Sequence, residues 1–200
     1  MTAYHWYATL LTIVGRWDEA LAQLDKARAF DPLSLILGAV TGLTLYLMRR
    51  YDDARAELLR TLDLEPNCYP AHLYLARVAL MQGRKEEAIT EFKTASEMSG
   101  GQITILAELA HAYAQAGRTA EALALLGQLT DGAAKHFVPN YYLGLIHTGL
   151  GHDDRALSFL AQACQLKEIQ FAIWFRREPR FDVLGKDVRY QALLDRMNLV

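Results

Sequence analysis

The sequence predicts an all-α fold, a solenoid of five helix pairs closed by a short helical cap. Residues Ala71 to Gly100, AHLYLARVALMQGRKEEAITEFKTASEMSG, read as two amphipathic helices of about a dozen residues each, joined by a turn at Gln82-Gly83-Arg84. Leu75, Ala76, Ala79 and Leu80 form an apolar stripe on the first; Ala88, Ile89, Phe92 and Ala95 do the same on the second. Either helix alone would leave its stripe in water, so the pair requires neighbours of its own kind. The chain supplies them with a period of 34 residues.

The period is visible as columns. Gly83 has counterparts at Gly15, Arg49, Gly117 and Gly151. Five residues after each turn comes alanine: Ala20, Ala54, Ala88, Ala122 and Ala156. Four residues further come Leu24, Leu58, Phe92, Leu126 and Leu160, and seven before the turn come the small residues Ala8, Gly42, Ala76, Ala110 and Gly144. A small residue on the first helix lets the second approach closely, and the alanine column marks a crossing where bulk would force helices apart. Glycine at the turn ends the first helix in a left-handed conformation without steric cost. Arg49 departs from that column and is expected to strain its turn.

In chain order the predicted repeats are 1–34, 35–68, 69–102, 103–136 and 137–170, followed by capping helices in 171–200. The first opens with an aromatic helix containing Tyr4, Trp6 and Tyr7 and no polar residue to start it. That end is expected to be able to pair with a second chain. The N-terminus lacks the cationic region and small-residue cleavage site of a signal peptide. Asp31-Pro32 and Glu65-Pro66 end the first two repeats, because proline cannot continue the preceding helix. Gly100-Gly101 and Asp131-Gly132 take that role in the third and fourth. The second repeat begins with Leu33 to Met48, sixteen nearly unbroken apolar residues. This is short of the roughly 20 that cross a bilayer as a helix, and predicts a helix packed between neighbours, with no membrane insertion.

The period and its columns resemble the tetratricopeptide repeat. The resemblance covers the chain to about residue 170, with departures at Arg49 and where the aromatic expected two residues past the turn, present as Trp17 and Tyr51, is replaced by Lys85, Thr119 and Asp153. It implies a right-handed solenoid whose first helices line a concave groove, and a protein that binds other proteins and is not an enzyme.

The tail departs from the period. Pro179 suits the first turn of a short helix, and Asp187 suits the cap of another running to about Met197. Phe181, Leu184, Tyr190, Leu193 and Leu194 offer an apolar face to cover the open side of the fifth repeat, as a solenoid's end requires. The segment EPRFDVLGKDVRYQALLDRMNL also resembles the close of bacterial tetratricopeptide arrays that follow winged-helix DNA-binding, serine/threonine kinase or adenylyl cyclase domains. That likeness implies an alternative role, as the sensory or regulatory arm of a larger signalling protein. It places the chain in the cytoplasm, or in the periplasm where such an array follows a membrane span.

Composition narrows the function. Twenty-one basic and 23 acidic side chains nearly cancel, which argues against direct nucleic-acid binding. The tail's mixed charges, Arg176, Arg177, Arg180, Lys186, Arg189 and Arg196 against Glu178, Asp182, Asp187 and Asp195, read as a solvated surface with ion pairs. Cys68 and Cys164 make neither a metal spacing nor a disulfide framework. No phosphate loop, nucleophile elbow or zinc-protease motif is present, and the histidines are scattered among repeats. Carboxylate pairs such as Glu86-Glu87 and Asp153-Asp154 stand where second helices start and complement the helix dipole. The expectation is no catalytic residue, no metal and no cofactor.

Binding has candidates. Carried over from the resemblance, Tyr74, Arg77, Glu108, His111, Gln115 and Tyr141 are the polar or amphipathic first-helix residues expected to meet a protein or peptide partner. Relatives that clamp a peptide's terminal carboxylate use paired Lys and Asn, where this chain has His5 and Thr9, Ala39 and Leu43, Leu73 and Arg77. An apolar and aromatic groove that takes a helix or an extended segment by burial is therefore expected.

Overall fold

The computed structural model describes residues 2–131 and 137–197. The described residues contain helices and no strand. They divide into two compact units, Met1–Ser99 and Gly100–Val200.

The first unit holds three helix pairs: α1 (Thr2–Val14) with α2 (Trp17–Phe30), α3 (Leu35–Leu47) with α4 (Tyr51–Leu64), and α5 (Tyr69–Met81) with α6 (Lys85–Met98). Each first helix packs on its own second helix and on the pair before it, so α3 meets α1 and α2, and α5 meets α3 and α4. The conserved-size columns are the contacts. Ala8, Ala20, Ala54, Ala76 and Ala88 are buried, as are Leu24, Leu58 and Phe92. At Gly42 the fit leaves no room for a side chain, because a Cβ there would lie 2.4 Å from Cδ2 of Leu58. The apolar stretch from Leu33 contributes α3, 13 residues long and largely buried, and no helix among the described residues is long and apolar enough to cross a membrane.

The turn within each pair closes in one way. Gly15, Gly83, Gly117 and Gly151 have φ between 70° and 81°, and Arg49 shares their left-handed conformation at 61°. The following amide then reaches back across the turn, Arg50 N–H to Leu45 O at 2.9 Å and Arg84 N–H to Ala79 O at 2.8 Å. That next residue is arginine in four of the five turns. Its guanidinium holds the acid three positions on: Arg16 with Glu19, Arg50 with Asp53, Arg84 with Glu87 and Arg118 with Glu121. The acid thereby stays at the positive end of its helix. The fifth turn breaks the pattern with His152 and Arg155.

The second unit holds α7 (Ile103–Gln115) with α8 (Thr119–Asp131), α9 (Asn140–Gly149) with α10 (Asp153–Gln165), and the tail. Gly132 and His136 lie outside the described residues. Because α9 starts without a capping side chain of its own, Glu168 supplies one from the far side of α10. Its carboxylate accepts from Asn140 N at 2.8 Å and Tyr141 N at 2.9 Å. Glu168 is brought there by a turn at Lys167, whose φ of 53° does the work that glycine does elsewhere.

The tail consists of α11 (Ile169–Trp174), a 3-10 turn over Pro179–Leu184, and α12 (Val188–Arg196), which Asp187 caps through Arg189 N at 2.8 Å. Phe181, Leu184, Tyr190 and Leu193 are buried and Leu194 is partly so, in one core with Leu157, Leu160 and Ala163 of α10. Four aromatic rings bind the tail to itself. Phe175 lies 4.4 Å from Phe171, 5.3 Å from Phe181 and 5.2 Å from Tyr190, centroid to centroid. Ring pairs at these separations add about 1 kcal/mol each beyond their area burial.

Candidate partner-binding surface

In the first unit α5 carries Tyr74 and Arg77, one helical turn apart, and the Arg77 guanidinium lies 5.3 Å over the Tyr74 ring. Such a cation–π contact draws the cation down onto the helix. Arg77 is buried and Tyr74 half-buried. The floor between α1 and α5 is closed: Ala39, Leu43 and Tyr46 of α3 are buried, and Thr12 Oγ1 meets Thr44 Oγ1 at 2.9 Å. What remains open to a partner on these first helices is a rim of half-buried side chains, His5 and Thr9 on α1 and Leu73, Tyr74 and Met81 on α5.

The second unit is arranged differently. Glu108 and His111 of α7 and Tyr141 of α9 are all buried, and they face the chain's own tail. Arg180 reaches in from the 3-10 turn and donates from Nη1 to Glu108 Oε2 at 3.0 Å. Its Nε and Nη2 donate to the two oxygens of Glu178, each at 2.8 Å. All three side chains are at most 2 % exposed. Phe181, the next residue, packs edge-on against Tyr141 at 5.5 Å. Gln115, at the end of α7, is exposed.

His111 is neutral in this setting. Its Nδ1–H donates to Leu145 O at 2.8 Å, and burial, reinforced by the Arg180 charge, pushes its pKa down to about 4. Gly149 is small because of this ring: a Cβ there would lie 2.7 Å from His111 Nδ1. His147 is also held below its usual range, first by burial and then by the neighbouring His152 and Arg155; its ring stacks on Phe159 at 5.3 Å.

Of the six side chains expected to meet a partner, Tyr74 and Arg77 are brought together on α5, and Glu108, His111 and Tyr141 are gathered around the tail. The sequence reading missed Arg180, Glu178 and Phe181 as the occupants of that face. It also took the tail's charges for a solvated surface. This holds for Arg189, which bridges Asp154 and Asp187 in solvent, and needs correction for Arg180 and Glu178. The signal available was the Glu-Pro-Arg-Phe run itself, a charged pair interrupted by a helix starter and followed by a core aromatic. The partner acid, Glu108, lies 72 residues away and could not be inferred from spacing.

Among the described residues no group of three or more metal-ligating side chains occurs. Three family models, each described as tetratricopeptide repeat, match residues 1–26, 41–102 and 86–142. The chain is 30% identical over 155 residues to ER membrane protein complex subunit 2-A of Xenopus laevis, covering 76% of this chain and 52% of that protein. The Xenopus tropicalis subunit 2 matches with the same identity and coverage. The chain thus spans about half the length of the curated relatives it matches. Among solved structures it resembles the APC/C hetero-tetramer Cut9-Hcn1, with a TM-score of 0.65 at 16% identity over 98% of this chain and 39% of that one. It also resembles YrrB, described as a TPR protein with an unusual peptide-binding site, with a TM-score of 0.54 at 18% identity over 94% and 89% of the two chains. At those identities the likeness is one of fold. Repeat columns, helix pairs and matching family models agree, and the chain belongs to the tetratricopeptide repeat family.

Proposed function

We propose that the chain is a non-enzymatic scaffold that holds a segment of a partner protein, helical or extended, against the first helices of its first unit. The observation that carries this reading is the contrast between the two units. In the second, the first-helix face is filled by Arg180 and Phe181 of the same chain. In the first, half-buried Tyr74, Leu73 and Met81 stand at the open rim of α5, the mixture of aromatic and aliphatic side chains from which binding hot spots are made. The absence of a lysine–asparagine clamp favours recognition by burial over capture of a terminal carboxylate. The curated relatives are named as subunits of a complex, which supports an assembly role.

The test is capture of the partner from the native cell by wild type, by Tyr74→Ala with Arg77→Ala, and by Thr9→Arg, which adds bulk and charge to the rim while leaving the core alone. With circular dichroism unchanged, both variants are expected to lose most of the captured protein. Undiminished capture by both would move the site off this face.

A further inference from the structure

The chain's first helix presents an apolar face that the rest of the first unit leaves uncovered. Trp6 is 64% exposed, Leu10 54%, Tyr7 45% and Val14 37%. Trp6, Leu10 and Val14 follow one another at four-residue spacing with Tyr7 alongside, so they form a single stripe. No charged residue occurs in α1 at all.

Repeat register shows what kind of surface this is. One period on, Trp6 corresponds to Val40 and Leu10 to Thr44, both buried on α3, which packs against α1 and α2. Two periods on, Leu10 corresponds to Val78, buried on α5. In the second unit the counterparts on α9 are Tyr142 and Ile146, buried again. A first helix uses this face to receive neighbouring helices, and on α1 it stands bare. Contiguous exposed apolar patches of this kind mark interaction sites.

We infer that a second copy of this chain covers it, α1 against α1 about a twofold axis. The stripe is symmetric about Leu10, with Trp6 four residues before it and Val14 four after. An antiparallel α1 therefore sets Leu10 against Leu10 on the axis and each Trp6 over Val14 of the second copy, a span of about 12 Å along the helix. With no charge on the helix, no like-charge opposition arises when the face meets itself. The solvent faces of α2, α4, α6 and α10 carry acids and bases throughout, and laying one of those on α1 would bury unpaired charge. Trp and Tyr on the contact stripe are the side chains that dominate such interfaces.

Sedimentation equilibrium across a dilution series into the micromolar range tests this. Wild type is expected at twice 22.5 kDa, and Leu10→Glu at 22.5 kDa with the same helical circular dichroism. Leu10→Cys under mild oxidation checks the register without adding charge: it is expected to give a covalent dimer on non-reducing gels, whereas Trp6→Cys gives none. Wild type serves as the blank for the native thiols, of which Cys68 is buried and Cys164 half-buried. A wild-type mass of 22.5 kDa at every concentration overturns the inference, as does a dimer that survives Leu10→Glu. A dimer lost in Leu10→Glu but not cross-linked through Cys at position 10 overturns the antiparallel register.

Discussion

Arg180 stands between two buried carboxylates, so its removal leaves both without a counter-ion. Replacing it by methionine keeps much of the packing and is expected to cost about 3–5 kcal/mol in urea unfolding, the range for breaking one member of a buried charge network. Arg189→Ala removes an exposed arginine with two ion-pair partners and is expected to cost no more than about 1 kcal/mol. His111 adds a pH dependence whose sign follows from its depressed pKa. The folded ring takes a proton only near pH 4, the unfolded one near 6.5. Between those values the unfolded chain binds the extra proton, so stability falls as pH drops from about 6.5 to about 4, by up to about 3 kcal/mol, and loses nothing more from this group below that. His111→Gln is expected to flatten the stability-against-pH curve by close to one proton in that window. At Arg49 the backbone already has the conformation that glycine holds in the other four turns. Arg49→Gly is expected to raise the unfolding free energy by about 0.5–1 kcal/mol, the relief of a left-handed residue less the entropy glycine adds to the unfolded chain.

At the scale of helices, much of the fold was legible because each column has one physical cause repeated five times. The small residue seven before the turn, the alanine five after it and the glycine between them each answer a contact or a φ angle, and Gly42 against Leu58 shows how little room is left. The tail's outline was legible too, since Pro179 and Asp187 announce their helices and Phe181, Leu184, Tyr190 and Leu193 announce a core. Connections lacking a local signature escaped. Lys167 gives no hint that it will turn the chain as glycine does, nor Glu168 that it will cap a helix starting 28 residues earlier. The candidate site suffered most from this. Glu108, His111 and Tyr141 have the polarity of groove residues, but what they face was decided by a tail with no place in the period. Removing residues 175–200 should therefore strip the cover from Tyr141, Leu157 and Leu160. Amide exchange in α9 and α10 is expected to accelerate by orders of magnitude; unchanged protection there would show that the tail is an appendage and no part of that core.

For the molecule as a whole, a tetratricopeptide fold makes a protein-interaction scaffold in general, and the account adds where on this chain the partner rests. The second unit spends its first-helix face on its own C-terminal segment, while the first unit keeps the rim of α1 and α5 available. The most direct test is site-specific photo-crosslinking in the native cell, with a photoactivatable phenylalanine analogue at Tyr74 in one variant and at Val183, exposed on the 3-10 turn, in another. The account predicts a discrete heavier protein adduct through position 74 and none through position 183. An adduct through position 183 alone would contradict it, and would make the docked tail, and not the first-helix rim, the surface that meets the partner.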